Sequence, residues 1–143
     1  MDLWLEIVIG AISGGLAGTI VTLYFERRQR RQATAVTLVQ EYQARYDLLR
    51  EVNDLFLRHA KHPNSWDDEA RFKALKMGNW YEVAALLYNT GLADRQLVQQ
   101  MGLDRSILNF YQRACTVPML EYYVKRWKEM DHLSQKMEAK KDG

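Results

Sequence analysis

Apolar residues fall into two regimes along this chain. From Ile7 to Phe25 they run without a single charge, and beyond Glu26 they recur every three or four positions among polar and charged side chains. The first regime is long enough to cross a bilayer, because about 20 residues at a rise of about 1.5 Å cover the ~30 Å hydrocarbon core. The second is the period of helices that turn one face to a core. The expected fold is therefore all-α: a single N-terminal transmembrane helix (1–25) followed by a cytoplasmic helical bundle (26–143).

Within the bundle, Val39, Tyr42, Tyr46, Leu49, Asn53 and Phe56, broadened by Leu38, Leu48, Val52 and Leu55, predict one long helix from Glu26 to about His62 that continues out of the membrane. Pro63-Asn64-Ser65 ends it, and Ser65 is positioned to cap a short helix from Trp66 to Lys76. Gly78-Asn79 reads as a break before a helix Trp80 to Tyr88, with Trp80, Val83, Ala84 and Leu87 inward and Gly91 as a left-handed terminus. Asp94 opens a further short helix that Gly102 closes. A long segment from Asp104 to about Ala139, bent near Pro118, carries Leu120, Tyr123, Val124, Trp127, Met130 and Met137 on its inward seam.

Charge adds direction. Every Lys and Arg follows the apolar run, four of them at once (Arg27, Arg28, Arg30, Arg31), while the head holds only Asp2 and Glu6. That asymmetry puts the N-terminus outside and the domain in the cytoplasm, with the protein in the inner membrane. Trp4 and Tyr24 mark the two interfaces. After residue 25 the 20 basic and 16 acidic side chains leave a net charge of +4, which membrane topology and anionic headgroups explain; a nucleic-acid partner is not expected.

Wound at 100° per residue, the apolar run places Gly10, Gly14, Ala17 and Gly18 on one side and bulky residues on the other. Hydrocarbon solvates every face alike, so such separation indicates helix contact, here between copies of the chain. Glu6 and Ser13 border the same side and would line a channel if the copies formed a ring. Cys115 is the only cysteine, which suits a reducing compartment, and His59, His62 and His132 are scattered, so neither a metal nor another cofactor is expected. Arg58, His59 and His62 read as the basic end of a helix.

The order of acidic head, span, basic exit and long helix, followed by Asn79-Trp80-Tyr81-Glu82-Val83-Ala84-Ala85-Leu86-Leu87-Tyr88-Asn89-Thr90-Gly91-Leu92, resembles a family of small, uncharacterised bacterial and phage proteins. That resemblance implies membrane association and no established chemistry. A second likeness, carried by the glycine-striped span with Arg126 and His132, is to pore-forming accessory membrane proteins of type VI-B CRISPR systems. Arg126 and His132, six apart, also loosely match the arginine and histidine of the HEPN ribonuclease motif, with Trp127 standing where a small polar residue is usual. In such an enzyme histidine would move a 2′-hydroxyl proton and arginine would stabilise charge on phosphate. The leading expectation is a non-enzymatic membrane effector or scaffold, in phage defence as a pore. The alternatives are a membrane-tethered ribonuclease and a plain anchor for a cytoplasmic protein partner.

Overall fold

Helix prevails because the chain offers no alternating pattern to build a sheet and has only two prolines to interrupt a helix. The computed structural model describes the backbone of residues 3–143 and the side chains of residues 20–143. Among them are seven α-helices and no strand: α1 (Leu3–Ala44), α2 (Tyr46–Lys61), α3 (Asp68–Asn89), α4 (Arg95–Gln100), α5 (Leu103–Ala114), α6 (Glu121–Val124) and α7 (Lys128–Lys141), with a 3-10 turn at Pro118–Leu120. Helix α3 is the axis of the bundle, packed by α2, α5 and α7, while α4 lies against α1. Among the described residues no helix is long and apolar enough to cross a membrane. Most of the expected span, with Trp4, Glu6, Gly10, Ser13, Gly14, Ala17 and Gly18, falls outside the described side chains.

Four boundaries depart from the sequence pattern. The long helix expected from Glu26 to His62 breaks at Arg45, whose backbone (φ −96°, ψ 10°) leaves the helical region. No proline or glycine lies there. The break sits where α3 presents Trp80, whose Nε1–H donates to the Glu41 carboxylate (2.8 Å), whose ring stacks on Tyr42, and over which the Arg45 guanidinium lies. Beyond it, Tyr46 is exposed rather than part of the core stripe.

The cap of α3 is Asp67, not Ser65; its side chain accepts the Ala70 N–H at 2.8 Å. Gly78-Asn79 does not break the chain. Helix α3 runs straight through it, because Gly78 is a notch for the Trp127 ring: a Cβ there would stand 2.3 Å from Trp127 Cζ2. The buried face of the second half is Tyr81, Ala84, Ala85 and Tyr88, one residue round from the expected stripe, and Val83 is exposed.

The segment from Asp104 to Ala139 is three helices and a 3-10 turn rather than one bent helix. Chain reversals at Cys115–Val117 and at Lys125–Trp127 bring α7 back against both α5 and α3. Its inward seam is nonetheless as read: Leu120, Trp127 and Met130 are buried, with Tyr123, Val124 and Met137 packed against them. Gly91 and Gly102 adopt left-handed φ of 72° and 73° at the ends of α3 and α4, and Asp94 caps α4 by accepting the Leu97 N–H.

The core is aromatic. Phe110 of α5 meets Tyr81, Phe56 and Trp127 with ring centroids 5.1, 5.6 and 5.7 Å apart, and Trp66 closes one end against Phe56 while donating its N–H to the Leu55 carbonyl. Burial pushes the Tyr81 phenol well above its ordinary range, so this residue stays neutral and serves packing.

Helix propensity alone makes Gly78→Ala a gain of about 0.5–1 kcal/mol. The Trp127 ring reverses the sign: overpacking a large, enclosed ring costs typically about 1–3 kcal/mol. The substitution is therefore expected to lower the denaturant midpoint at unchanged slope, and an equal or higher midpoint would refute the notch.

Candidate functional site

The most heavily constrained polar residues lie where α3 meets the start of α7. Helix α7 begins at Lys128 without a side-chain cap of its own, since Trp127 occupies the N-cap position. Its free backbone donors are met from another helix: Glu82 Oε1 accepts the Glu129 N–H at 2.8 Å and Oε2 accepts the Met130 N–H at 3.0 Å. A carboxylate at that end also complements the helix dipole. One turn before Glu82 along α3, Asn79 accepts the Trp127 indole N–H (3.1 Å), and two turns after it Asn89 donates to both the backbone carbonyl (2.9 Å) and the carboxylate (3.0 Å) of Glu129. The motif from Asn79 to Asn89 is thus a clamp, with Asn79, Glu82 and Asn89 gripping residues 127–130. The oxygens of Asn79 and Glu82 and the Asn89 amide N–H are engaged in holding the fold, while the buried Asn89 Oδ1 has no partner.

Arg126 and His132 are not brought together on one helix. Arg126 belongs to the turn before Trp127, exposed, with its guanidinium over the Tyr122 ring (3.5 Å to the centroid) and donating to the Tyr122 carbonyl. His132 is exposed on α7. Trp127 between them is 3 % exposed and fills the Gly78 notch, so the residue that departs from the ribonuclease motif is a core residue.

Of the other histidines, His59 sits in the last turn of α2 and reaches the Thr116 carbonyl at 3.3 Å, on the wall of a surface hollow of about 310 Å³ between α2 and α5 that Asn109 and Arg113 also line. His62 is the residue that ends α2, and Arg58 and Lys61 precede it as the basic last turn. Among the described residues no three His, Cys, Asp or Glu side chains converge as metal ligands. Cys115 is exposed, and partial burial of its thiol, with Asp131 nearby, pushes its pKa up, away from the thiolate that nucleophilic chemistry requires.

The described part of the stem carries the remaining candidates. Tyr24 is exposed, as are Arg27, Arg28 and Arg30, and Arg31 is half-buried where its carbonyl accepts the Asp94 N–H at 3.0 Å. Ile20, Val21, Leu23, Tyr24 and Phe25 are 52 to 66 % exposed, uncovered by the domain. Sequence reasoning passed over Glu82 and Asn89 as ordinary members of a helix. Their only signal was polarity two turns apart on a helix whose neighbours are largely apolar.

Comparison with protein families places residues 11–138 in one described as "Domain of unknown function (DUF4760)", a match that begins inside the apolar run and ends in α7. No curated protein and no solved structure matches the chain.

Replacing Glu82 with Gln leaves one α7 donor facing an amide N–H. The expected cost is about 1.5–3 kcal/mol, the range for hydrogen bonds to a charged group. Hydrogen exchange at Glu129 and Met130 should speed up before that of α5; unchanged exchange at both would remove the clamp. Arg126→Ala and His132→Ala, both on exposed side chains, should each change stability by less than about 0.5 kcal/mol.

Proposed function

We propose that this chain, which belongs to the DUF4760 family of uncharacterised domains, is a single-pass protein of the inner membrane that acts as a homo-oligomeric, non-enzymatic effector or scaffold. One observation carries the reading. Helix α1 is a single 42-residue helix whose apolar side chains from Ile20 to Phe25 are uncovered, whereas Ala35 and Leu38, three turns on, are buried in the domain. Bare apolar side chains at that density need a nonaqueous partner, and a bilayer supplies it for every face of the helix at once. Arg27, Arg28, Arg30 and Arg31 follow directly, which orients the domain to the cytoplasm.

Self-association draws support from the same helix. Continued along α1, the face that carries Gly10, Gly14 and Gly18 meets Arg28 and then Gln32, Val36, Val39 and Gln43, and Val36 is 49 % exposed. From Gln32 to Gln43 that strip carries no charge, in line with the small residues of the apolar run. Copies packed along that strip would bring Glu6 and Ser13 toward a common axis, so a ring of several would form an ion path of the kind a defence pore uses.

Engagement of Asn79 and Glu82 in the fold, with Arg126 in the turn before Trp127 and His132 on α7, favours this reading over the ribonuclease. Gly14→Leu tests it. A bulky side chain in a close helix contact costs about 1–3 kcal/mol per pair, enough to weaken assembly about tenfold or more. Mass measurement of the detergent-solubilised protein should show an oligomer that shifts toward monomer in this variant. A wild-type monomer, or an assembly indifferent to the change, overturns the oligomer.

A further inference from the structure

The net charge of the region after residue 25 is confined to one end of the domain. Three segments meet there: the stem 26–31, the α3–α4 turn 90–95 and the last turns of α7 from 136 onward. Together they hold eight basic residues against the acids Glu26, Asp94, Glu138 and Asp142. The rest of the domain, with twelve basic and twelve acidic residues, is balanced. Every ion pair among the described residues also lies in that balanced part, at Glu41–Arg45, Asp68–Arg71, Lys73 with Glu51 and Glu69, and Glu121–Lys125. The cations of this end have no carboxylate partner among the described residues.

Their geometry is convergent. The Asp94 N–H donates to the Arg31 carbonyl, fastening the turn to the stem. A Cβ at Gly91 would lie 3.9 Å from Nη2 of Arg31 and equally 3.9 Å from Nη2 of Arg95, so two guanidinium groups flank the same left-handed glycine. Arg95 is held in place by donating to the Tyr88 and Asn89 carbonyls, at 3.0 and 2.6 Å, and it shares a shallow hollow with Lys136 and Lys140 of α7. Leu92, at the tip of the turn, is 57 % exposed.

Distance along the helix bears on what this end faces. Arg31 follows Phe25 by six residues, about 9 Å along the axis. The headgroup layer occupies about 5–8 Å on each side of the hydrocarbon. We propose that this end of the domain is a second membrane contact, in which Arg31, Arg95, Lys136 and Lys140 bind the phosphates of anionic lipids and Leu92 enters the headgroup layer. The inference rests on the anchored reading of α1. It adds a fixed posture: the bundle lies against the bilayer instead of swinging from its stem. Phosphate suits paired guanidinium groups, which offer parallel donors, and each basic residue at an anionic surface favours the docked form about fivefold.

The full chain, with Cys115→Ser as background, is placed in lipid nanodiscs of phosphatidylcholine alone or with phosphatidylglycerol, and Leu92→Cys carries an environment-sensitive fluorophore. Leu57→Cys, exposed on α2, is the reference. The expected result is a blue shift at residue 92 only in the anionic discs. It should be absent at residue 57, abolished by Lys136→Glu with Lys140→Glu, and reversed in about 1 M salt, where the Debye length is roughly 3 Å. An identical residue 92 spectrum in both lipids, or a shift that survives the two reversals, overturns the proposal. So does a shift produced by an RNA oligonucleotide but not by anionic lipid, which would reassign the patch to nucleic acid. A chain that enters no disc at all defeats the anchor and this contact together; one that enters both with residue 92 unresponsive defeats this contact alone.

Discussion

The fold depends on the seating of Trp127 in the groove of α3. Four other features require it: a glycine at 78 in mid-helix, an amide at 79 for the indole N–H, a carboxylate at 82 for the uncapped start of α7, and an amide at 89 for the next carbonyl. Each is a cost when taken alone. Glycine weakens a helix, an unpaired indole N–H should not be buried, and two free backbone donors want an acceptor. Together they cancel, because the ring that needs a notch brings with it the helix end that needs a cap. The turn at Lys125–Trp127, which no proline or glycine dictates, becomes favourable because of where it delivers the indole.

That coupling explains which features were legible from the sequence and which were not. Local chemistry was readable: Gly91 and Gly102 as left-handed ends, Asp94 as a cap, and the inward seam Leu120, Trp127, Met130 all follow from rules that act within one or two turns. The misreadings arose where a distant residue decides. Gly78-Asn79 looks like a breaker until Trp127 is seen to fill it, 48 residues away. The stretch Glu26 to His62 has a continuous helical period, yet it breaks at Arg45, where Trp80 engages Glu41, Tyr42 and Arg45 together. Asp67 instead of Ser65 caps α3, its side chain accepting the Ala70 N–H in the first turn, a choice between two neighbouring caps that the sequence left open.

The same division holds for the candidate site. Arg126 and His132 drew attention through spacing on an assumed continuous helix, and spacing carries meaning only where the helix is real. Once the chain turns at Trp127, a six-residue separation no longer describes one face. What composition writes over many residues does not depend on such continuity: the uncharged run before Glu26 and the excess of arginine just after it. The convergence of Arg31 with Arg95 was invisible in sequence, since 64 positions separate them and it takes the packing of α4 on α1 and the Asp94-to-Arg31 hydrogen bond to bring the turn to the stem.

Polar groups in a small helical domain are either used by the fold or left for something else. Here Asn79, Glu82 and Asn89 are used, Glu41 is used by Trp80, and the paired surface charges of α1, α3 and α6 neutralise one another locally. At the base of the stem the bare apolar residues 20–25 and cations without a carboxylate partner among the described residues stand together, and α1 ties the two at a separation of a turn or two. If α1 is anchored as proposed, that end lies against the bilayer, and the grip of Asn79, Glu82 and Asn89 on residues 127–130 joins α7, which carries Lys136 and Lys140, to α3, which leads into Arg95. The cations on the two segments are then presented by one clamped unit and not by two independent helices.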